Sequence, residues 1–146
     1  MKSQKIEKKS LHESVNNLFL DIDIMSIAGY LSVIRSGVSG KNLREITKLM
    51  GEKELIARTI GKDASNLSKS YRVKHLNLID SDNLIATLRV YIQAEKTYES
   101  FDLAKEWMHS PIPTFGGEIP VNILDSNAGR ELVRQTLRKM ESGEYV

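Results

Sequence analysis

The chain has 146 residues, of which 40% are hydrophobic, and its 21 Lys and Arg against 19 Asp and Glu give a formal charge of +2. This apolar fraction excludes disorder along the whole length, and the lack of cysteine excludes disulfides and cysteine-ligated zinc. No run of about 18 apolar residues occurs, and no signal-peptide apolar stretch follows the basic start. We therefore expect no membrane span and a cytoplasmic location.

The charge is spread unevenly along the chain. Residues 1–76 hold 14 Lys and Arg against eight Asp and Glu, whereas residues 77–146 hold seven against 11. A basic front and an acidic back are typical of a chain with two different partners. A random distribution of charged residues also produces differences of this size. The motifs therefore have to decide between two different partners and chance.

The first 24 residues predict a tail and one short helix. Residues 1–10 are rich in Lys, Ser and Glu with little periodicity, which is typical of a mobile terminus. The stretch from Leu11 to Ile22 predicts a short helix. From Met25 onward a clear helical spacing of apolar residues begins.

Four short helices are predicted between Met25 and Arg72, because apolar residues recur at helical spacing and glycines end the runs. Two runs stop at Gly37 and Gly51, and the other two flank Gly61, at about residues 53–60 and 63–72. Asp63 stands at the start of the last one, as an N-cap or first-turn acid. The apolar positions that define the first two runs are Ile27, Leu31, Ile34, Leu43, Ile46 and Met50.

The second half of the chain predicts a long helix, a loop and two shorter helices. Asp80 and Ser81 precede the longest apolar pattern of the chain. Ser100 and Ser126 are placed to cap the helices that follow them. Between these helices, residues 110–120 contain all three prolines and two adjacent glycines, which predicts a loop. Since no alternating strand pattern appears, we expect an all-α fold.

Residues 53–72 have the layout of a helix-turn-helix unit, with Gly61 supplying the positive φ of the turn. Ala64, Leu67 and Tyr71 define an inner face of the second helix. The opposite face is polar and basic, so it can hold DNA phosphates and reach base edges. The DNA-binding residues predicted from this face are Lys62, Ser65, Asn66, Lys69 and Arg72.

Alternatives to DNA reading stay open for this segment. Helical hairpins with a glycine turn are common structural units, and Lys62 stands where an apolar residue often follows such a turn. Asp63 places a negative charge close to where phosphates would lie. The unit is then a structural hairpin, a weak site that gains affinity as a multimer, or a vestigial unit kept for dimerisation.

Trp107 is the single tryptophan and ends a predicted helix just before the loop. We interpret it as a core anchor that holds the loop, because tryptophan normally buries its apolar body. Phe115 is either an exposed apolar contact or a side chain folded back onto the core, and the sequence favours neither. Gly116 and Gly117 fit loop geometry better than a phosphate site, since no lysine follows them.

No catalytic constellation is visible in the sequence. The three histidines, His12, His75 and His109, have no metal-ligand spacing. A nucleophile elbow, a P-loop and a dinucleotide fingerprint are all missing. We therefore expect a protein that is not an enzyme and that uses neither a metal nor a cofactor.

Two series of short motifs run through the chain. The N-terminal series is Ile34-Arg35-Ser36-Gly37, the segment 55–69, Leu76 and Ser81-Asp82-Asn83-Leu84. The C-terminal series is Trp107, Pro111, Gly117, Pro120, Leu124, Gly129, Val133, Leu137 and Met140-Glu141-x-Gly143. Together they span roughly residues 28–146 and resemble the Xre-family antitoxins with a ParS-like toxin-binding domain. Met108, Ile112 and Phe115 depart from the loop pattern of that family.

The resemblance implies an all-α fold, in which an N-terminal helix-turn-helix bundle is joined by a long helix to a small helical C-terminal domain. It divides the chain into a tail with a short helix at 1–24, an Xre-like domain at 25–98 and a toxin-binding domain at 99–146. The toxin-binding residues that it implies, together with Phe115, are Arg134, Arg138, Lys139, Glu141, Glu144, Tyr145 and Val146.

The function implied by the resemblance is that of a type II antitoxin. Its C-terminal region would occlude the active site of a cognate toxin, often one with an NAD-consuming RES domain. Its helix-turn-helix would bind operator DNA and repress the operon, as a homodimer within a toxin–antitoxin hetero-oligomer. The alternative is a stand-alone helix-turn-helix regulator or DNA-binding protein without a toxin partner.

Overall fold

The computed structural model describes residues 8–144, and every regular element in that range is helical, which confirms the all-α prediction. Three single turns of 3-10 helix, at Ala64–Asn66, Pro113–Phe115 and Pro120–Asn122, supplement the α-helices. None of the helices in this range is long and apolar enough to cross a membrane. The α-helices are α1 (Leu11–Leu18), α2 (Ile27–Ser36), α3 (Gly40–Met50), α4 (Lys53–Thr59), α5 (Leu67–Ser70), α6 (Leu78–Tyr98), α7 (Phe101–Met108) and α8 (Asn127–Glu141).

Side-chain caps fix the start of six helices. At each of these positions a serine or asparagine oxygen accepts a hydrogen bond from the backbone N–H three residues later, which satisfies a donor that the helix leaves free. The predicted caps Ser100 and Ser126 are confirmed. The capping residues of α1, α2, α3, α6, α7 and α8 are Ser10, Ser26, Ser39, Asn77, Ser100 and Ser126.

The long helix α6 begins earlier than the sequence predicted. Asn77 caps it, so Asp80 and Ser81 lie inside its first turns rather than before it. Asp80 is then the first-turn acid that favours a helix N-terminus. Ser81 is buried, and its hydroxyl accepts a hydrogen bond of 3.0 Å from the backbone N–H of Val38. The serine therefore ties the end of α2 to α6 instead of capping a helix.

Helix α6 lies at the centre of the fold. It packs against α1, α2, α4, α7 and α8, and its side chains are buried on most of its circumference. One hydrophobic cluster runs without a break from Leu11 to Leu137. The division of the chain into domains at 25–98 and 99–146 stays a prediction.

The spacing of Ile27, Leu31 and Ile34 predicted α2 but not which side of it is buried. Ile34 is buried, whereas Ile27 and Leu31 are 64% and 40% exposed. Gly29 faces inward instead, and a Cβ atom there would lie only 2.0 Å from the backbone oxygen of Asp23. The close approach at this glycine turns the helix so that two large apolar side chains face solvent.

The predicted helices at 11–22 and 63–72 are shorter in the structure. Helix α1 ends at Leu18, because Leu20 and Asp21 have positive φ angles of 54° and 65°. The second segment is a 3-10 turn followed by the four residues of α5. The start of α3 limits its length, since the backbone N–H of Gly40 donates to the carbonyl oxygen of Val73.

Gly129 allows α8 to approach the segment that precedes it. A Cβ atom at this position would lie 1.7 Å from the backbone oxygen of Ile123, which is far inside van der Waals contact. Ser126 caps the same turn of the helix through the backbone N–H of Gly129, at 3.0 Å. A residue with a side chain therefore cannot occupy position 129 without moving α8.

Gly129→Ala is expected to lower the free energy of unfolding by at least about 3 kcal/mol, because the added methyl group overpacks backbone that cannot move aside. The measurement is urea unfolding followed by circular dichroism. The control is Gly116→Ala, where φ is +66° and a Cβ meets nothing within 4 Å. It should cost only the left-handed strain of about 1–2 kcal/mol. Equal losses in the two variants would contradict this account.

Candidate partner-binding surfaces

The predicted DNA-binding residues lie on one exposed side of the turn between α4 and α5. Lys62, Asn66 and Lys69 line an open groove of about 570 Å³. His75 and Asp80 also line this groove, at the approach to α6. Ser65 and Arg72 are exposed in the same segment. The structure thus places all five residues in contact with solvent, and three of them share one concave surface.

The turn between α4 and α5 has the predicted inner packing. Gly61 has a φ of +67°, and the backbone N–H of Lys62 donates to the carbonyl oxygen of Ala57 at 2.9 Å. Leu67 is buried, while Ala64 and Tyr71 are partly buried against the core. The second half of the unit, made of the 3-10 turn and α5, presents only about two helical turns to solvent. Asp63 lies at the N-cap position but makes no side-chain capping hydrogen bond.

Helix α8 runs parallel to α6 and is joined to it by polar contacts along its length. Arg130 Nη2 donates to Asn83 Oδ1 at 3.1 Å near the start of α8. Further along, the Gln93 amide donates to the backbone oxygen of Arg134 at 3.1 Å. Near the end, Thr97 Oγ1 donates to Glu141 Oε1 at 2.7 Å. These contacts hold the outer face of α8 in a fixed orientation.

The residues that the resemblance assigned to toxin binding are divided between two sides of α8. Arg134, Arg138 and Glu141 follow helical spacing on one flank, whereas Lys139 lies on the other side of the helix. Arg138 is paired with Glu131 at 3.2 Å, and Glu144 is exposed beyond the end of the helix. Tyr145 and Val146 lie outside the described residues.

The Pro/Gly loop is closed by backbone hydrogen bonds around Ile112. The carbonyl oxygen of Ile112 accepts from the N–H groups of Phe115 and Gly117, and its own N–H donates to the oxygen of Glu118. The glycines at 116 and 117 have φ angles of 66° and 86° and contact nothing at the Cβ position. This supports the loop-geometry interpretation of the two glycines.

The aromatic residues of this region pack against the core while keeping an exposed edge. Trp107 is half-buried, and its ring centroid lies 6.3 Å from that of Tyr98 at the end of α6. Phe115 is also half-buried against the core, so of the two alternatives the folded-back position is the one that the structure adopts. Its exposed edge leaves part of the ring accessible to a partner.

A polar cluster around the buried side chain of Glu52, which the sequence did not reveal, connects α4, α6 and α7. Glu52 is buried just before α4, and its carboxylate accepts a hydrogen bond from the hydroxyl of Tyr91. His109 Nε2 lies 2.8 Å from Glu52 Oε2, and Lys105 Nζ lies 3.8 Å from Glu52 Oε1. Because Tyr91 and His109 lie 39 and 57 residues from Glu52, no local spacing could have identified this cluster.

Arg58 forms a second connection between α4 and the C-terminal region. Its Nη2 donates to the backbone oxygen of Val121 at 2.9 Å, and its Nε lies 3.6 Å from Asp125 Oδ2. Together with the cluster around Glu52, this fixes α4 against the segments that precede and follow the loop. Within residues 8–144, no group of three or more His, Asp or Glu side chains is arranged to hold a metal ion.

Comparison with known proteins agrees with the C-terminal motif series. Residues 93–143 match the family model described as the antitoxin Xre/MbcA/ParS C-terminal toxin-binding domain. The C-terminal third of the chain is therefore similar to the toxin-binding domain of this antitoxin family. The predicted resemblance is therefore confirmed, and a toxin is the implied partner. The matched region begins inside α6 and includes α7, the loop and α8.

A curated relative gives independent support for the antitoxin family. This protein of Sphingobium sp. (strain YBL2), named Prs ADP-ribosylating antitoxin, is 25% identical to the chain over 127 residues. The aligned region covers 80% of each of the two chains. The similarity therefore extends well beyond the C-terminal domain and includes most of the helices before it.

Replacing Glu52 should destabilise the protein through its buried partners. Glu52→Leu leaves the buried Tyr91 hydroxyl without its acceptor, so we expect a loss of about 1–3 kcal/mol in the free energy of unfolding. Adding Tyr91→Phe removes the orphaned hydroxyl and should restore part of that loss. The measurement is chemical unfolding of the two single variants and the double variant.

The matched control for Glu52 is Glu54→Leu, two residues along the chain, where the carboxylate is exposed. That change should stay within about 0.5 kcal/mol of the unmodified protein. Losses that simply add in the double variant would show that Glu52 and Tyr91 do not stabilise each other.

Proposed function

We propose that this protein is the antitoxin of a type II toxin–antitoxin pair and inhibits its toxin by direct binding. The observation that carries the proposal is the match of residues 93–143 to an antitoxin toxin-binding domain. Helix α8 gives this domain a firm base, because Val133 and Leu137 are fully buried and polar contacts join it to α6. The exposed end of α8 is then the surface that a toxin would contact first.

The occluding segment in this proposal is the end of α8 and the residues after it. Lys139, Glu141 and Glu144 are exposed there. Tyr145 adds an aromatic ring, and Glu141 and Glu144 add negative charge, which together suit a cationic, nucleotide-binding pocket. The half-exposed ring of Phe115 and the arginines Arg134 and Arg138 complete the proposed contact surface.

The toxin partner proposed here is an NAD-consuming enzyme of the RES type. The name of the Sphingobium relative refers to ADP-ribosylation. Transfer of an ADP-ribosyl group uses NAD as the donor, and this chemistry fits a toxin that consumes NAD. Direct occlusion of its active site would then stop NAD consumption without any catalytic group on the antitoxin.

We also propose that the groove beside α5 binds operator DNA and that the chain represses its own operon as a homodimer. Lys62, Asn66 and Lys69 on the groove, with Ser65 and Arg72 beside it, supply phosphate and base-edge contacts. A helix as short as α5 offers few contacts, so two copies binding together are needed for affinity. The dimer would sit inside a larger complex with the toxin.

A stand-alone DNA-binding regulator is the second candidate function. The exposed basic groove favours it, because a phosphate-binding surface needs no toxin partner. The genomic neighbourhood separates the two functions, since an antitoxin gene should lie directly beside a small toxin gene. Production of that neighbouring protein with and without this chain then tests protection of the cell.

Ending the chain at Met140 is expected to weaken inhibition of the neighbouring toxin at least tenfold while leaving DNA binding unchanged. The truncation removes the proposed occluding segment but keeps Val133 and Leu137, which anchor α8. NAD consumption by the toxin, titrated with full-length and truncated chains, is the measurement. Equal thermal unfolding of the two chains is the control, and undiminished inhibition by the truncated chain would reject the occlusion mechanism.

Lys69→Ala and Arg72→Ala should each lower DNA affinity and flatten its dependence on salt, because each lost phosphate contact releases fewer counterions. Fluorescence anisotropy of a labelled promoter duplex at several salt concentrations measures both effects. Lys96→Ala is the control, since it removes an exposed lysine at the far end of α6 from the groove. Unchanged salt slopes for both variants would show that α5 does not contact DNA.

A further inference from the structure

Two arginines are buried in the fold without an acidic side chain at ion-pair distance. Arg89 in α6 is 9% exposed and Arg130 in α8 is 6% exposed. Neither forms an ion pair with a carboxylate among the described residues. The Nε atom of each is buried and has no hydrogen-bond acceptor. Both guanidinium groups stay charged, because arginine does not lose its proton in proteins.

Neutral groups make the contacts that these two arginines do have. Arg89 Nη2 donates to the backbone oxygen of Met25 at 3.4 Å, and its guanidinium lies 4.5 Å from the centre of the Tyr30 ring. Arg130 donates to the backbone oxygen of Leu124 and to the amide oxygen of Asn83, both at 3.1 Å. Such contacts orient a guanidinium but do not neutralise it.

Three acids act on these arginines through their charge, but none of them forms an ion pair with either guanidinium group. Asp82 accepts a hydrogen bond from the hydroxyl of Tyr30, and Asp23 lies 2.8 Å from His12 Nε2. Asp125 is paired with Arg58 at 3.6 Å. Burial, followed by the hydrogen bond to Asp82, raises the pKa of Tyr30 to about 12. The phenol therefore stays protonated and continues to donate its hydrogen bond to Asp82.

A third arginine increases the local positive charge. Arg134 lies one turn after Arg130 on α8 and is half-exposed. Burial, and then the positive charge of Arg134, lowers the pKa of Arg89. Burial also lowers the pKa of Arg130. A buried guanidinium group that has no ion-pair partner is costly, and an acid supplied from outside would reduce that cost.

The position of this arginine cluster, which comprises Arg89, Arg130 and Arg134, points to a protein partner. Arg130 and Arg134 lie inside the region that matches the toxin-binding domain, and Arg89 lies four residues before it. Ile27 is exposed on α2 two residues after Met25, which contacts Arg89. Arginine beside exposed apolar side chains is the composition found at the centre of protein–protein interfaces.

We infer that the arginine cluster is a docking point for an acidic side chain of the partner protein, which extends the proposed contact surface from Arg134 inward to Arg89 and Arg130. This inference rests on the proposed antitoxin function, since the partner that it names is the toxin. An aspartate or glutamate of the toxin would reach Arg134 first. Its negative charge would also balance the positive charge of the two buried guanidinium groups. Arginine suits this role because its planar fork matches a carboxylate.

The test uses two variants of the full-length chain and a matched control. Arg134→Glu reverses the accessible charge, and Arg89→Met removes a buried one while keeping a long apolar side chain. Arg44→Glu makes the same change of net charge on the exposed side of α3. Affinity for the purified neighbouring toxin is measured by isothermal titration calorimetry at two salt concentrations, and stability is measured by thermal unfolding.

We expect Arg134→Glu to weaken toxin binding at least tenfold and to reduce its salt dependence, while Arg44→Glu changes neither. Arg89→Met should also weaken binding, yet its unfolding temperature should equal or exceed that of the unmodified protein, because the variant loses an unpaired buried charge. A purely structural arginine would show the opposite pattern, with lower stability in Arg89→Met and no loss of toxin affinity in Arg134→Glu. Because Arg134 is half-exposed, its variant keeps the test decisive even if Arg89→Met fails to fold.

The outcomes separate this inference from the proposed function. If both variants bind the toxin as strongly as the unmodified chain does, the inference is overturned and the antitoxin function stays in place. Absence of toxin binding by the unmodified chain would reject both. Loss of affinity for a promoter duplex in Arg134→Glu, with toxin binding intact, would also overturn the inference, because the cluster would then serve nucleic acid.

Discussion

Burial of α6 on most of its circumference is the constraint on which the rest of this structure depends. A helix that is covered on all sides cannot have a single apolar stripe, so its neighbours have to supply complementary surfaces from both halves of the chain. Helices α2 and α4 cover it from the N-terminal half, and α7 and α8 cover it from the C-terminal half. The buried serine at 81, which ties the segment after α2 to α6, is a consequence of this close packing.

Local patterns in the sequence predicted which segments are helical and where several of them begin. Glycines at 37, 51 and 61 end or separate helices as expected, and Ser100 and Ser126 cap the helices that follow them. These features involve residues within a few positions of one another, so sequence spacing alone contains them. The C-terminal motifs were equally informative, since they led to a family whose domain matches residues 93–143.

Contacts between distant segments were beyond the reach of sequence spacing. The exposure of Ile27 and Leu31 depends on how α2 rotates to seat Gly29 against the backbone of Asp23. The polar cluster of Glu52, Tyr91 and His109 joins residues from three separate helical segments. Such features arise from tertiary packing, which overrides the local preference of each segment.

The buried carboxylate of Glu95 has a consequence for how this architecture can evolve. Glu95 lies within the matched toxin-binding region, yet its oxygens accept hydrogen bonds from the backbone N–H groups of Leu11 and His12 at the start of α1. An exchange of the C-terminal region for an unrelated sequence would remove this acid and leave the two backbone donors at the start of α1 without their acceptor. The first helix and the matched region are therefore bound together by a contact that such an exchange would break.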